Sequence, residues 1–115
     1  SMTESIKARE LIYLNDIDKF VDGASVKLVG SHNFSICLDG IDRMLTVDKN
    51  HLCQTMLDLY AMKGMIVEPA GALSVAGLEL IQDQIKNKVV VCIISGGNFD
   101  PKRFPEITKI AHSIS

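Results

Sequence analysis

From Arg43 onward the apolar positions switch repeatedly between the period of a strand and that of a helix. Met44-Leu45-Thr46-Val47 predicts a short strand, and Asp48 is a suitable N-cap for a helix directly after it. Leu52, Met56, Leu59 and Tyr60 then recur at helical spacing, predicting a helix over residues 49–63 that stops at Gly64, a residue free to take the left-handed position. Residues 65–67 read as a brief extended segment. Glu68-Pro69 opens a second helix, because a proline in the first turn forfeits no hydrogen bond. Residues 70–81 are almost entirely small or apolar, so that helix is expected to be packed on most sides. A polar stretch, 82–88, leads to Val89-Val90-Val91-Cys92-Ile93-Ile94, which is rich in β-branched residues, lacks polar alternation and is too short for a typical helix. Such a run predicts a strand covered on both faces.

The flanks are less regular. Leu11-Ile12-Tyr13-Leu14 is compatible with a short strand, and Asn15-Asp16-Ile17-Asp18 with a turn. Residues 26–29 suggest a strand closed by Gly30, and Asn33 a cap for a helix carrying Phe34, Cys37 and Leu38 and ended by Gly40. Asp100-Pro101 and Phe104-Pro105 both look like helix starts, after which Ile107, Ile110, Ala111 and Ile114 share one face. Alternation of strand and helix from Met44 onward argues for an α/β fold, a mainly parallel sheet with helices on both faces and right-handed crossovers.

A chain of 115 residues allows one compact domain with a sizeable core. Hydrophobic residues make up 47% but aromatics only 5%, so aliphatic side chains must do the packing. Net charge is −2 with no run of Lys and Arg, which removes the footprint expected of a nucleic-acid binder and leaves a small neutral or anionic metabolite as partner. Cys37, Cys53 and Cys92 are too few and too scattered for a disulfide framework. With no leader-like or membrane-spanning segment, a cytoplasmic location away from membranes is expected.

The apolar run 89–94 ends in Ser95-Gly96-Gly97-Asn98. Function is expected at the carboxyl end of such a strand, where open α/β sheets bind ligands. The two glycines let a flat ligand approach the backbone, and the serine hydroxyl both donates and accepts; a plain strand-to-helix turn would use the same residues. The turn is neither a Walker loop nor a dinucleotide fingerprint. Glu68 sets a carboxylate at the mouth of an apolar helix, either facing the same pocket as Ser95 or only complementing the helix N-terminus. Asp22-Gly23-Ala24-Ser25-Val26 fits a backbone wall against a ligand, and equally a simple turn. His32, His51 and His112 lack a second ligand at metal spacing, so no metal site is expected, and no nucleophilic triad is evident in the sequence.

Taken in order and at their intervals, Asp22-Gly23-Ala24-Ser25-Val26-Lys27, Glu68-Pro69-Ala70-Gly71-Ala72 and Ser95-Gly96-Gly97-Asn98 resemble the threonine deaminase and serine racemase group of fold-type-II pyridoxal-phosphate enzymes. Residues 42–48 and 53–60 add a likeness to the biosynthetic threonine deaminases of isoleucine formation, so the resemblance covers about residues 3–112. It implies a tryptophan-synthase-β-like domain with pyridoxal 5'-phosphate as cofactor. Ser95 would contact the pyridine nitrogen, Gly96 and Gly97 would clear space for the ring, Glu68 would lie beside it, and Gly23 would lend backbone nearby. The implied reaction is loss of the β-hydroxyl and α-proton of L-threonine or L-serine, ending in a 2-oxo acid and ammonia.

Group members hold the cofactor covalently through a lysine in a Ser-Phe-Lys motif and cradle its phosphate with a poly-glycine loop; neither motif occurs in these 115 residues. The resemblance therefore implies the carboxyl-terminal part of a catalytic domain, with the lysine-bearing part and the regulatory domain outside it. No catalytic residue is assigned within the chain, which is expected to be inactive alone. A serine/threonine dehydratase, a serine racemase or a non-catalytic interaction module retaining the fold are the alternatives. Uncovered sheet edges predict self-association, consistent with a homo-oligomeric parent.

Overall fold

A computed structural model describes residues 1–113, and its contacts divide the chain into two units, Ser1–Leu45 and Thr46–Ser115, where one compact unit was expected. The first unit holds helices α1 (Met2–Ala8) and α2 (Ser31–Gly40), which pack on each other. Its buried residues are few: Ser5, Phe20 and Val29. The Ser5 hydroxyl is satisfied in that interior by accepting the Ile12 N–H at 2.9 Å. Helix α2 ends at Gly40 as expected but begins before Asn33, because Gly30 takes an extended N-cap conformation and its carbonyl accepts from Phe34 N–H at 2.9 Å.

The second unit is built around α3 (Lys49–Lys63), which packs against both α4 (Pro69–Ala76) and α6 (Phe104–Ala111). Its boundaries match the predicted signals. Asp48 is the N-cap, and Gly64 ends the helix at φ 64°, where its amide bonds the Tyr60 carbonyl. Leu52, Cys53, Met56 and Leu59 point inward, meeting Ala72 and Ala76 of α4 and the fully buried Ile107 of α6 within one core. Tyr60 is half exposed and instead stacks at a tilt on Phe104, which in turn meets Phe99 edge-on.

The helix predicted over residues 70–81 is shorter. It stops at Ala76, because Gly77 lowers helix propensity by about 1 kcal/mol and Leu78 N–H bonds Val75 in the tighter three-residue pattern. A 3-10 turn (Glu79–Ile81) and the single-turn α5 (Gln82–Ile85) replace its second half, leaving Leu80 exposed. Before α6, Asp100 caps a 3-10 turn (Pro101–Arg103), its carboxylate accepting Lys102 N–H at 3.0 Å. Ile114, assigned to the apolar face of α6, lies outside the described residues.

The expected sheet is not formed: among the described residues none is in a strand. A strand exists through its ladder, and the segments 11–14, 26–29, 44–47, 65–67 and 89–94 lack one. Leu14 N–H reaches the Lys27 carbonyl at 2.9 Å, a single rung where a ladder needs several. In residues 89–94 no backbone N–H donates a hydrogen bond to any described residue. Their exposure nevertheless alternates with the period of a strand: Val89, Val91 and Ile93 are 97%, 85% and 77% exposed, and the residues between them less so. One face of this segment rests on the second unit while the other is bare, which corrects the expectation of cover on both sides.

Candidate functional site

The site is assembled on one face of α4. Glu68, Gly71 and Ser74 recur every third residue, a spacing that aligns them along a helix. Residues 92–96 run alongside them in the opposite direction. Nearest the N-terminus, the backbone N–H of Glu68 donates to the Gly96 carbonyl at 3.2 Å. One turn on, the buried Gly71 presses its Cα against the next stretch of backbone, so that a Cβ there would fall on the Ser95 carbonyl oxygen and lie 2.9 Å from that of Gly96. A further turn on, the Ser74 hydroxyl donates to the Ile93 carbonyl at 2.7 Å, and the Cys92 thiol reaches the Ser74 carbonyl at 3.6 Å.

Gly96 has φ 81°, a conformation side chains rarely adopt, and the space its Cβ would need is filled by the Glu68 carboxylate. The two predicted site residues are thus in contact twice, through backbone and through side chain. Glu68 is also the N-cap of α4, with Pro69 in the first turn as expected. Its carbonyl accepts from the Gly71 and Ala72 amides at 2.9 and 3.3 Å, fixing the start of the helix. Ser95, Gly96 and Gly97 are exposed, and a Cβ at Gly97 would meet nothing nearer than the Ile66 carbonyl at 3.9 Å. The surface beside the turn is therefore open, with a hydroxyl on it and a carboxylate at its edge.

Gly23 lies in the first unit, in a turn where its N–H bonds the Asp22 carboxylate at 2.9 Å and Ala24 N–H bonds Val21 at 3.0 Å. The cluster on α4 is built wholly from the second unit. Sequence reasoning missed the roles of Gly71 and Ser74, although the three-residue spacing from Glu68 was available as a signal. His51, read only against metal spacing, has a structural place. Its Nε2 is 2.9 Å from the Ala76 carbonyl at the end of α4, and its Nδ1 is 3.0 Å from Glu79.

Residues 1–96 match the family model described as "Pyridoxal-phosphate dependent enzyme". The chain belongs to the pyridoxal-phosphate dependent enzymes. The biosynthetic L-threonine dehydratase IlvA of Staphylococcus aureus is 49% identical over 108 residues, which are 93% of this chain and 26% of that protein. The Staphylococcus epidermidis counterpart is 48% identical over the same shares. Among solved structures, the processed form of threonine deaminase isoform 2 from Solanum lycopersicum superposes with a TM-score of 0.89 at 32% identity, covering 98% of this chain and 34% of that one. Serine racemase from Dictyostelium discoideum gives 0.73 at 28% identity, with 84% and 31% covered. This family member thus spans about a quarter of the length of the curated relatives it matches, and shares its fold with threonine deaminases and serine racemase over the aligned part. No described helix is long and apolar enough to cross a membrane.

Proposed function

We propose that this chain forms one wall of the pyridoxal-phosphate site of an L-threonine dehydratase, which converts L-threonine to 2-oxobutanoate and ammonia by β-elimination. The observation that carries the proposal is the contact of Glu68 with Gly96 beside an exposed Ser95, in a sequence about half identical to enzymes named for this reaction. The residues fit the cofactor: a turn without side chains at Gly96 and Gly97 presents an open face to a planar ring, and a hydroxyl stands at its edge. When bound, pyridoxal phosphate supplies the electron sink for the pair left on the substrate's α-carbon.

Ser95 would hold the pyridine nitrogen through its hydroxyl, keeping its own proton on Oγ, because a hydroxyl does not ionise at neutral pH. A neutral donor would leave that nitrogen without the full charge an aspartate would maintain, which would suit elimination better than transamination. Gly96 and Gly97 keep the ring face clear of side chains. Glu68 orients the turn through its amide and occupies the space behind Gly96 with its carboxylate. In the complete fold, residues 89–94 form a strand of a mainly parallel sheet with helices on both faces. The chain corresponds to the carboxyl-terminal portion of the catalytic domain of a cytoplasmic homo-oligomer, whose Schiff-base lysine and phosphate cradle come from other parts.

The test is a coupled assay of the full-length polypeptide that carries this chain, loaded with pyridoxal phosphate and offered L-threonine, L-serine or D-serine. Formation of 2-oxobutanoate from L-threonine is expected, with Ser95→Ala weakening cofactor binding. Interconversion of L- and D-serine in place of keto-acid release would favour the serine racemase reading, which the lower TM-score of that structure makes second. Neither product from a correctly folded, cofactor-loaded protein would sink both.

A further inference from the structure

We infer that Phe99, which stands outside the chemistry proposed above, is a positioning residue: its ring anchors the exit of the Ser95-Gly96-Gly97-Asn98 turn and so sets where the glycine face of the cofactor site lies. The inference rests on the reading of that turn as a wall of the pyridoxal-phosphate site. The two ends of the turn have different supports. Its entry lies on α4, where Glu68 N–H bonds the Gly96 carbonyl at 3.2 Å and Gly71 abuts the Ser95 carbonyl. A sheet joined by residues 89–94 in the complete fold fixes that same end. The ladder of such a sheet stops at Gly96, whose φ of 81° lies outside the extended region that strand pairing requires.

Beyond Gly96 the chain passes through Gly97, whose backbone is free to take many conformations, so a fixed entry does not by itself place Gly97 and Asn98. The second support comes directly after them. The Phe99 ring meets Phe104 edge-on with centroids 5.1 Å apart, and Phe104 lies 5.3 Å from Tyr60 of α3. With Met56, Ile66, Val67 and Phe104, Phe99 closes over an apolar space of about 10 Å³, so the pocket under its ring is nearly filled. Met56 and Val67 are buried, which makes this pocket part of the core of the second unit. Gly97 and Asn98 thus span two fixed points, Gly96 on α4 and Phe99 on the ring cluster. Truncating the ring leaves the cap at Asp100, three residues past Gly97, as the next hold on the chain, and the backbone between is then free to carry the glycine face out of place. These contacts are internal to the second unit and do not depend on which strands pair with residues 89–94.

The full-length polypeptide that carries this chain provides the test, as wild type, Phe99→Ala, Phe99→Leu, Ile107→Val and Ser95→Ala. Two quantities are read: the apparent Kd for pyridoxal phosphate by titration, and the melting temperature of the cofactor-free protein. Phe99→Ala should raise the Kd about tenfold, the order of effect expected from losing one seated ring. Phe99→Leu, which refills most of the pocket, should stay within about threefold of wild type. Ile107 is fully buried on α6 but does not line the pocket under Phe99, so Ile107→Val should lower the melting temperature and leave the Kd within about twofold. A Kd raised as far in Ile107→Val as in Phe99→Ala, for equal losses of melting temperature, would mean general loosening of the unit and overturns the inference. So does a wild-type Kd in Phe99→Ala, or a Phe99→Leu variant no better than Ala, when Ser95→Ala has lost affinity. Unchanged affinity in Ser95→Ala overturns the reading of the turn as a cofactor wall, and the inference with it.

Discussion

In α3, Leu52 and Cys53 keep 1% and 0% of their solvent exposure, whereas Val89, Val91 and Ile93, just as apolar, keep 97%, 85% and 77%. The difference lies in what each segment needs from its surroundings. A helix satisfies its own backbone and asks its neighbours only for an apolar face, which α4 and α6 supply to α3. An extended segment leaves every amide to be satisfied from outside, and among the described residues the backbone of residues 89–94 finds just one partner, the hydroxyl of Ser74 on the Ile93 carbonyl. Apolar composition says that a segment prefers burial; whether burial is achieved depends on a pairing strand.

The comparison can be sharpened by substitution. Leu52→Ala removes packing from the centre of the second unit and is expected to destabilise it by about 3 kcal/mol, read from denaturant unfolding. A loss below about 1 kcal/mol would mean that α3 is not held by the contacts described. Val91→Lys, on the bare face of residues 89–94, should change stability by less than about 0.5 kcal/mol. It should nonetheless weaken self-association of the isolated chain, because a charge on an uncovered strand disfavours edge pairing. Light scattering against concentration would decide this, and an unchanged mass distribution would place the contact elsewhere.

A pH-dependent effect concerns Cys53. Burial, helped by the nearby Glu106 carboxylate and opposed by Lys49 and Arg103, raises its thiol pKa from 9.0 to about 11. The folded state therefore retains a proton that the unfolded state releases, so the contribution is fully present below pH 9 and is lost as pH rises towards 11. Stability should decline across that window in wild type, and Cys53→Ala should flatten the decline. A matching slope in the variant would assign it to other groups.

The helical part was legible because its signals are local. Asp48 and Gly64 mark the ends of α3, Pro69 the start of α4, and Asp100 and Pro105 the approach to α6. Strand formation was not legible, since a ladder depends on residues distant in sequence. The site was half legible. Glu68, Ser95, Gly96 and Gly97 stood out by type and converge, yet Ser74 resembles any other small helical residue until the Ile93 carbonyl is seen beside it. Gly23 marks a turn in the first unit, where neighbouring groups account for its hydrogen bond.

The contact between Gly71 and the Ser95 carbonyl also bears on how this sequence can drift. Every coding change at glycine adds at least a Cβ, and at position 71 that atom meets backbone that has no rotamer with which to yield. Alanine, the mildest replacement almost anywhere else in a helix, would be among the harmful ones here. In a saturation scan, position 71 should appear intolerant for want of room, although it brings no side chain to any chemistry.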